Sequence, residues 1–291
     1  MTSAELPRLD ADTRVLIAPL EARGVSVTPA VWDDPGVDWT AFDLAVVRSC
    51  WDYVPRREEF VRWAGRVERL ANPAAVIAWN TDKGYLRDLA DRGVPVVPTD
   101  WVEPGGDWDP PAGEHVIKPA VSISSRDTGR YHREDADHVR LAREHVRRLH
   151  REGRTVMVQS YLRGVEDEGE TSLVYLGGKF SHAMRKGAVL DGPDRGARLP
   201  HEASPGLEPR RPTAAQQNVA ERALAAVPAG PDGLLYARVD LVPDAGGEPL
   251  LLELELTEPT LYFARVPEAA ERFATLIAER ADRFRGRCRP S

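Results

Sequence analysis

The chain has few cysteines, no long apolar run and no excess of positive charge, and each absence excludes a class of protein. Its two cysteines, Cys50 and Cys288, lie in an apolar run and in a polar tail, so a structural disulfide is not expected. No run of about 18 apolar residues is present to span a membrane, and the N-terminus lacks the basic and then apolar pattern of a secretion signal. We therefore expect a cytoplasmic protein without a membrane partner.

The charge balance argues against nucleic acid as a partner. The formal net charge is -7, whereas proteins that bind nucleic acid regardless of sequence carry a basic surface that releases counterions. The basic stretch Arg140–Arg154 is interleaved with Glu144 and Glu152 and is typical of a solvated helix face. With 42% hydrophobic and 29% charged residues over 291 positions, the composition is that of a globular protein with about two or three domains.

Apolar runs alternate with helical patterns in the first part of the chain, which predicts an α/β fold. The predicted strands are Val25–Trp32, Asp43–Ser49 and Ala75–Trp79, and the predicted helices are Arg14–Arg23, Arg57–Leu70 and Asp82–Arg92. A domain of this kind normally begins with a buried strand, but Met1–Asp12 is polar and turn-like. We expect either that this domain has one strand fewer or that the true start codon lies upstream of the assigned one.

The second half of the chain mixes strands and helices in an α+β pattern. Its predicted elements are strands at His115–Pro119, Thr155–Tyr161, Thr171–Tyr175 and Lys179–Met184, helices at Asp135–His150, Thr213–Ala226 and Pro267–Arg285, and a hairpin of Leu234–Val242 with Pro249–Leu256. The stretch Asp191–Arg211 is predicted to be poorly ordered and is a candidate lid over the substrate.

Three carboxylates lie on the two strands of the predicted hairpin. Asp240 is on the first strand, and Glu253 and Glu255 are two residues apart on the second, so they share a face. Like charges that converge between apolar neighbours repel each other unless a cation separates them, and magnesium prefers carboxylate oxygens together with substrate phosphates. These residues therefore predict a magnesium site. The alternative is a solvated strand face, with the alternating leucines alone filling the core.

Two lysines and a small-residue loop are placed to meet phosphate. Lys118 ends an apolar strand just before a proline, and a lysine in such a position is rare unless it is paired. Lys83 lies at the start of a helix, where backbone N–H groups favour anions. The loop Ser122–Gly129, with Ser124 and Ser125 at its centre, is rich in hydroxyls, and its amides could cover a triphosphate. An ordinary surface loop is the alternative.

The strand end Val158–Leu162 is followed by several acidic residues. A strand edge that runs into a loop offers free N–H and C=O groups, which could read the edge of an adenine. An acidic residue shortly afterwards, such as Glu166 or Glu170, could hold ribose hydroxyls. A plain strand end with an acidic turn explains the pattern equally well.

The order of these motifs resembles that of ATP-grasp enzymes over roughly residues 80–285. The motifs that carry the resemblance are Lys118-Pro119, the Ser122–Gly129 loop, Gln159–Leu162, Ser181–Lys186, Arg238–Asp240 and Glu253–Glu255. Within that superfamily, Arg48–Tyr53, Asn80–Lys83 and Leu252–Pro259 are most similar to actinobacterial proteins related to O-ureido-serine cyclo-ligase. Ring formation in those proteins is an intramolecular amide-type coupling.

The resemblance implies an ATP-grasp fold with a small α/β domain before it, and an ATP-dependent carbon–nitrogen ligase with an amino-acid-like substrate. The implied domains are 1–79, a central subdomain at 80–158 and a C-terminal subdomain at 159–291. Asp240, Glu253 and Glu255 would bind two magnesium ions, although many family members have an asparagine where Glu255 stands. A homodimer or homotetramer is also implied.

Further roles follow from the same resemblance. Lys83 and Lys118 would hold the ATP phosphates under the Ser122–Gly129 loop. The adenine slot would be lined by Gln159, Tyr161 and Leu162, and the ribose would be reached by Glu166 or Glu170. The transferred phosphoryl group would be stabilised by Arg185 and Arg238. Arg185 and Lys186 are neighbours on a strand and point to opposite faces, and we expect Arg185 at the site.

The candidate substrate-recognition residues are Arg48, Trp51, Asp52 and Tyr53. They follow a parallel strand, at the end where open α/β sheets bind ligands. Packing is the alternative role for the two aromatic residues.

The expected reaction begins when a carboxylate attacks the γ-phosphorus of ATP and forms an acyl phosphate, which an amine then attacks. Two alternatives stay open. An ATP-grasp kinase would release a stable phosphorylated product, and a nucleotide-binding protein without turnover would bind magnesium-ATP and form no ADP.

Overall fold

Short helices and a two-stranded parallel sheet form the N-terminal part of the chain. The computed structural model describes residues 1–194 and 206–287. The first elements are α1 (Ala11–Arg14), α2 (Ile17–Glu21), β1 (Ala45–Val46), α3 (Arg57–Ala64), β2 (Leu70–Ala71) and α4 (Ala74–Asn80), with 3-10 helix at Trp39–Ala41 and Trp51–Arg56. Strand β1 pairs in parallel with β2. None of the described helices is long and apolar enough to cross a membrane.

Aromatic side chains fill the core of this N-terminal part. Trp32 meets Phe60 edge to face with ring centroids 5.2 Å apart, and Tyr53 stacks on Phe60 at 4.8 Å. Trp63, on the same face of α3, is also buried. The predicted helix Arg57–Leu70 is therefore confirmed over its first eight residues, but α3 ends at Ala64, and Leu70 already belongs to β2.

Two predicted strands are wrong. The segment Val25–Trp32 forms no strand and touches its neighbour only through a bridge between Thr2 and Val31. The segment Ala75–Trp79 lies in helix α4. Its neighbouring residues Val76 and Ile77 are buried in two different hydrophobic clusters, so the run is apolar on more than one side, and periodicity alone cannot tell such a run from a strand.

Residues Met1 to Ser3 take the place of the expected first strand. Thr2 forms parallel bridges with both Val31 and Ser49 and is fully buried. The Trp32 amide donates to the Thr2 carbonyl at 3.1 Å, and the Ser49 amide donates to the Met1 carbonyl at 3.2 Å. Within residues 1–10, Thr2 alone pairs with the two neighbouring segments, and these residues form no strand of two or more residues.

An antiparallel sheet with one long helix forms the central part. Its elements are α5 (Tyr85–Asp91), β3 (Thr99–Val102), β4 (Glu114–Pro119), β5 (Gly129–His132), α6 (Ala136–Arg151) and β6 (Val156–Ser160), with strand order β3-β6-β4-β5. Helix α6 begins where the Asp135 carboxylate accepts the amides of Asp137 and His138. Its apolar side packs on one face of the sheet, which leaves the other face for the site.

A second antiparallel sheet forms the C-terminal part. Its elements are α7 (Gly164–Asp167), β7 (Glu170–Leu176), β8 (Lys179–Lys186), β9 (Glu208–Pro209), α8 (Ala214–Ala225), α9 (Gly230–Gly233), β10 (Tyr236–Pro243), β11 (Pro249–Glu255) and α10 (Pro267–Arg287), with strand order β11-β10-β7-β8-β9. Thr213 and Gln216 form a reciprocal capping box at the start of α8. The predicted hairpin and closing helix are confirmed.

An extended segment connects the two sheets. The Val97 amide donates to the Leu251 carbonyl at 2.9 Å, and the Leu251 amide donates to the Pro95 carbonyl at 2.8 Å, so this segment borders β11. Two residues later, β3 begins at Thr99 and pairs with β6 at the edge of the central sheet. The two sheets are thus adjacent, and Lys118 of β4 lies within electrostatic range of Glu253 of β11. We call the space between these two strands the cleft.

Part of the stretch Asp191–Arg211 can be compared with its prediction. Residues 195–205 lie outside the described residues, so the candidate lid is not addressed. The pair Glu208–Pro209 forms β9 against β8.

Candidate active site

The hairpin of β10 and β11 brings the predicted carboxylates together. Asp240 lies opposite Glu253 in the strand register, and Arg238 lies opposite Glu255. The side chains of Glu253 and Glu255 expose only 26% and 28% of their surface. Both glutamates are engaged with cations inside the cleft, so the solvated-face alternative is wrong.

A β-bulge explains why the leucine alternation was misleading. The register shifts after Asp240, so Leu241 lies opposite Leu251, and Leu252 is the extra residue. Leu251 and Leu254 therefore both enter the core, whereas Leu252 is only half-buried. The bulge leaves the two glutamates on the face that looks into the cleft.

Arg238 is the cation at the centre of this cluster. Its Nε lies 2.9 Å from Asp240 Oδ1, its Nη2 lies 2.8 Å from Asp240 Oδ2, and Nη2 also contacts Glu255. Burial acts to raise the pKa of Asp240, but the positive charges of Arg238 and, to a smaller extent, Lys186 outweigh it and lower that pKa below its usual range. Burial raises the pKa of Glu255 to about 8, and the charge of Asp240 acts in the same direction.

Lys186, and not Arg185, reaches the carboxylates. Lys186 Nζ lies 3.3 Å from Asp240 Oδ2 and contacts Glu170, its register partner on β7. Arg185 points to the other face of β8, where it donates to the backbone carbonyls of Glu168 and Asp167 at 2.9 and 3.1 Å. The expectation that Arg185 faces the site is therefore wrong. Because neighbouring side chains on a strand point to opposite faces, only one of Arg185 and Lys186 can face the carboxylates, and the pairing with Glu170 places Lys186 there.

The two predicted phosphate-binding lysines both lie near Glu253. Lys83 Nζ is 3.1 Å from Glu253 Oε1 and donates to the Ser122 carbonyl at 2.7 Å. Lys118 is buried on β4, and its burial lowers the pKa of its ammonium to about 8, with the charge of Glu253 acting against that shift. Two ammonium groups thus face one carboxylate across the cleft.

The Ser122–Gly129 loop is held firmly at its ends. Ser124, Ser125 and Asp127 all have left-handed backbones, with φ of 50°, 54° and 54°, which is uncommon for residues other than glycine. The Asp127 carboxylate accepts from Arg148 at 2.9 Å and from Arg154 at 2.7 Å. The loop therefore keeps a strained shape beside Lys83, as expected for a backbone cradle.

The residues expected around adenine and ribose are separated. Gln159 is buried on β6 and donates to Thr99 Oγ1 at 2.8 Å, and Leu162 follows two residues after the end of that strand. The Tyr161 ring lies 3.6 Å from the Arg130 guanidinium, and its hydroxyl donates to Glu166.

The two candidates for the ribose therefore lie in different surroundings. Glu166 belongs to an exposed cluster with Tyr161 and Arg130, whereas Glu170 pairs with Lys186 and is within electrostatic range of Asp240. Only Glu170 joins the carboxylate cluster.

The four candidate substrate residues do not form an open binding surface. Arg48 exposes 4% of its surface and donates to the Pro259 carbonyl at 2.8 Å. Trp51 Nε1 donates to the Glu258 carbonyl at 3.3 Å. Asp52 accepts from the Trp32 indole and pairs with Arg56, and Tyr53 is buried in the aromatic core. Arg48, Trp51 and Asp52 are thus held by protein groups, and their contact with a substrate stays a prediction, whereas packing is the observed role of the Tyr53 ring.

Side chains that sequence reasoning missed fix the outer edge of β11. Asn80 Nδ2 donates to the Leu254 carbonyl, and Asn80 Oδ1 accepts the Leu256 amide, both at 2.7 Å. The Tyr85 hydroxyl accepts the Leu254 amide at 2.9 Å. These bonds satisfy the backbone on both sides of Glu255. Asn80 lies in the motif Asn80–Lys83, which was the available signal.

Tyr262 was also missed, and no sequence signal singled it out. Its ring lies 5.7 Å from the Arg238 guanidinium, and its backbone is left-handed with φ of 59°. The Tyr262 hydroxyl approaches Ser172 Oγ at 3.4 Å. The ring thus forms one wall beside the central arginine.

The donor chemistry suits magnesium, although the carboxylates are paired with side-chain cations. Among residues 1–194 and 206–287, no three histidine, cysteine, aspartate or glutamate side chains form a ready metal-binding group. Burial raises the pKa of Glu170 to about 7 and that of Glu255 to about 8, and the charge of Asp240 adds to both shifts. Carboxylate oxygens are the donors that magnesium prefers, so Asp240, Glu253 and Glu255 could hold a dication in place of their present side-chain partners.

Three comparisons agree with this geometry. The family model of the D-cycloserine synthetase DcsG N-terminal domain matches residues 1–72. The cycloserine biosynthesis protein DcsG of Streptomyces lavendulae is 38% identical over 96% of this chain and 97% of that protein. The crystal structure of D-cycloserine synthetase DcsG superposes with a TM-score of 0.83 and 36% identity, and the match covers 96% of this chain and 98% of that one.

More distant solved structures share the fold. The ATP-grasp ligase PsnB, complexed with a minimal precursor, Mg and ADP, matches with a TM-score of 0.59 at 18% identity, over 94% of this chain and 95% of that one. The predicted ATP-grasp fold with a small α/β domain before it is confirmed. The chain belongs to the DcsG family and is an ATP-dependent carbon–nitrogen ligase with the ATP-grasp fold.

Proposed function

We propose that this protein closes a ring within a serine-derived amino acid, O-ureido-serine, through an acyl phosphate made from ATP. The observation that carries the proposal is the cleft between the two sheets. There Asp240, Glu253 and Glu255 lie among Arg238 and three lysines, a charge pattern suited to a magnesium-bound triphosphate. The names of the DcsG relatives, which refer to cycloserine, support a ring-closing reaction.

The nucleotide is proposed to lie in the cleft with its phosphates toward Glu253. Lys83 and Lys118 would neutralise the phosphates, and the amides around Ser124 and Ser125 would cover them. The adenine would lie by the end of β6, where Gln159, Tyr161 and Leu162 are found. Glu166, which accepts from the Tyr161 hydroxyl, is the candidate nearer the ribose, and Glu170, which pairs with Lys186 beside Asp240, is the candidate nearer a metal.

Asp240, Glu253 and Glu255 are the proposed ligands of two magnesium ions. When bound, the ions would neutralise the phosphate oxygens and hold the nucleotide in line with its acceptor. Lys83 and Arg238 now pair with these carboxylates, so both are within a side chain's length of the place where the phosphates would bind.

In the proposed reaction, a substrate carboxylate oxygen attacks the γ-phosphorus, and ADP leaves. Arg238 and Lys186 stabilise the charge on the transferred phosphoryl group, because both are held at Asp240 by ion pairs. The nitrogen bonded to the chain oxygen of the same substrate then loses its proton and attacks the acyl carbon, and phosphate leaves as the ring closes. This step leaves the carbamoyl group on the ring nitrogen, and formation of cycloserine itself would also need water to remove that group as carbon dioxide and ammonia. Arg185 has no part in this scheme.

The test is to incubate the protein with magnesium-ATP and O-ureido-serine and to follow ADP and product mass. We expect ADP to form only with the substrate, together with a ring-closed product, and hydroxylamine to trap the acyl phosphate as a hydroxamate. A stable phosphorylated serine derivative would instead identify a kinase. ATP binding without ADP would identify a nucleotide-binding protein. Light scattering tests the predicted homodimer or homotetramer.

A further inference from the structure

The loop after β11 is held by side chains from several parts of the chain. We call residues 257–264 the tethered loop. Five consecutive carbonyls in it each accept a side-chain hydrogen bond. The donors are Tyr236 Oη to Thr257 (2.7 Å), Trp51 Nε1 to Glu258 (3.3 Å), Arg48 Nη2 to Pro259 (2.8 Å), Arg238 Nη1 to Thr260 (3.1 Å) and His182 Nε2 to Leu261 (2.9 Å).

The Asp12 side chain binds backbone amides of the same loop. Its carboxylate accepts the Leu261 amide at 3.0 Å and the Ala264 amide at 3.2 Å. Arg48, which approaches Asp12 at 4.0 Å, is buried. Because Asp12, Arg48 and Trp51 belong to the N-terminal part, that part fixes the loop against the catalytic strands. Residues of the tethered loop therefore have defined positions at the edge of the cleft.

Glu258 is the acidic residue of this loop, and its surroundings differ from those of the other carboxylates. Asp240, Glu253 and Glu255 each pair with a lysine or an arginine. Among the described residues, Glu258 has no such partner within 4.0 Å, and the Tyr53 hydroxyl lies beside its carboxylate. Burial raises the pKa of Glu258 to about 7, although Tyr53 acts against that shift. Of these four carboxylates, Glu258 is thus the one without a side-chain ion pair.

We propose that the Glu258 carboxylate binds the ammonium group of the amino-acid substrate. This inference rests on the proposed function and identifies the residue that selects an α-amino acid. The groups that face Glu258 are the Tyr53 hydroxyl and the charges of Lys83, Arg238 and Glu253. Lys83 and Arg238 are cations already paired with other carboxylates, so an ammonium can complete the hydrogen bonding of Glu258.

The position of Glu258 also suits the reaction. In an α-amino acid the ammonium and the carboxylate are attached to the same carbon. An ammonium held at Glu258 therefore leaves the carboxylate only a few ångströms away, toward Lys83 and Arg238, where the phosphoryl group is proposed to be transferred. Tyr53 orients the Glu258 side chain, and the Trp51 bond holds its backbone. Tyr53 is in this sense a positioning residue.

The experiment compares two substrates in three proteins, and Tyr53→Phe is added as a fourth to test the positioning role. The substrates are O-ureido-serine and its deamino analogue, which keeps the carboxylate and the ureido group. The proteins are the wild type, Glu258→Gln and Glu58→Gln, in which the same change is made at an exposed glutamate of α3. We measure kcat and KM for each substrate and the dissociation constant of magnesium-ATP. A charge-assisted hydrogen bond predicts that the wild type prefers the amine by about 10-fold to 100-fold in kcat/KM.

We expect Glu258→Gln to lose most of that preference because kcat/KM for O-ureido-serine falls. Its affinity for magnesium-ATP and its turnover of the deamino analogue should stay within about twofold of the wild-type values. Glu58→Gln should keep the preference in full. Tyr53→Phe, which preserves the aromatic core, should reduce it partly. A role in folding alone would lower the melting temperature without changing the ratio between the two substrates.

Two outcomes would overturn the inference alone. Either the wild type turns over both substrates equally, or Glu258→Gln keeps the full preference for the amine. Loss of turnover for both substrates together with loss of magnesium-dependent ATP binding would assign Glu258 to the metal site and also overturn it. If the wild type forms ADP with neither substrate, the proposed function itself is wrong, and the inference is overturned with it.

Discussion

At the residue scale, the site depends on which side chains a strand turns toward the cleft. Lys186 and Arg185 are adjacent and equally charged at neutral pH, yet only Lys186 meets Asp240. Arg238 connects Asp240, Glu255 and the Thr260 carbonyl, so it joins the carboxylate cluster to the tethered loop. Strand alternation and ion pairing therefore set which cations lie at Asp240.

The first prediction uses this adjacent pair as its own control. Lys186→Met should lower kcat for substrate-dependent ADP release by on the order of 100-fold or more, because a charge aimed at the transferred phosphoryl group is lost. Arg185→Met should stay within about threefold, because its guanidinium binds backbone carbonyls outside the cleft. Greater damage from Arg185→Met than from Lys186→Met would contradict the geometry.

The second prediction concerns the proton on Lys118. Because burial lowers the pKa of this ammonium to about 8, about half of the lysines are neutral at pH 8 in the free protein. Bound phosphates would favour the charged form, so Lys118 should contribute an uptake of about half a proton to magnesium-ATP binding at pH 8 and almost none near pH 6. This contribution adds to the protons that Glu255 and Glu170, with pKa values of about 8 and 7, would release when magnesium binds. The sign follows from the lowered pKa, since the neutral fraction grows as pH rises through that value.

Calorimetry in buffers of different ionisation enthalpy measures this uptake. Lys118→Arg is the matched control, because a guanidinium stays charged throughout this range, so at pH 8 the wild type should take up about half a proton more than the variant. Equal proton uptake by the wild type and Lys118→Arg would exclude Lys118 as its source.

Sequence reasoning at this scale succeeded where a residue type is costly without a partner. A lysine at a buried strand end and three acids on a hairpin required explanation, and Lys83, Lys118, Asp240, Glu253 and Glu255 do lie together. It did not foresee the partners of Arg48 and Asp52, because a sequence does not show whether a charged group after a strand faces the cleft or binds neighbouring protein groups. Glu258 was passed over for the same reason.

At the element scale, β11 is the strand on which the site depends, and side chains protect its exposed edge. As an edge strand it has backbone groups that β10 does not pair. Asn80, Tyr85 and the Val97 segment bind those groups. Such edge pairing cannot be read from periodicity, since the partners are side chains of α4 and α5 rather than another strand. The bulge after Asp240 was hidden for a similar reason.

The third prediction follows from this edge. Asn80→Ala should lower the free energy of unfolding by about 2–4 kcal/mol, because it leaves the buried Leu254 carbonyl and Leu256 amide without their partner. Asn218→Ala, at an exposed position in α8, should change it by less than about 0.5 kcal/mol. Urea unfolding of both variants is the measurement. Equal effects would show that the Asn80 bonds do not stabilise the strand.

At the scale of the whole molecule, the site is assembled from three parts of the chain. The central sheet supplies Lys118, the C-terminal sheet supplies the carboxylates with Arg238 and Lys186, and the N-terminal part holds the tethered loop through Asp12 and Arg48. The ATP-grasp fold was predictable because the motifs keep a fixed order along the chain. The N-terminal part was less so, since its strands are two residues long and its Ala75–Trp79 run is helical.

The most direct test of the central claim is substrate-dependent ADP release from magnesium-ATP by the wild type and by Asp240→Asn/Glu253→Gln. With O-ureido-serine, we expect the wild type to release ADP and form a ring-closed product, and the variant to fall by at least about 1000-fold because its magnesium ligands are lost. Circular dichroism checks that the variant is folded. A folded variant that releases ADP at the wild-type rate would contradict the assignment of the site to Asp240 and Glu253.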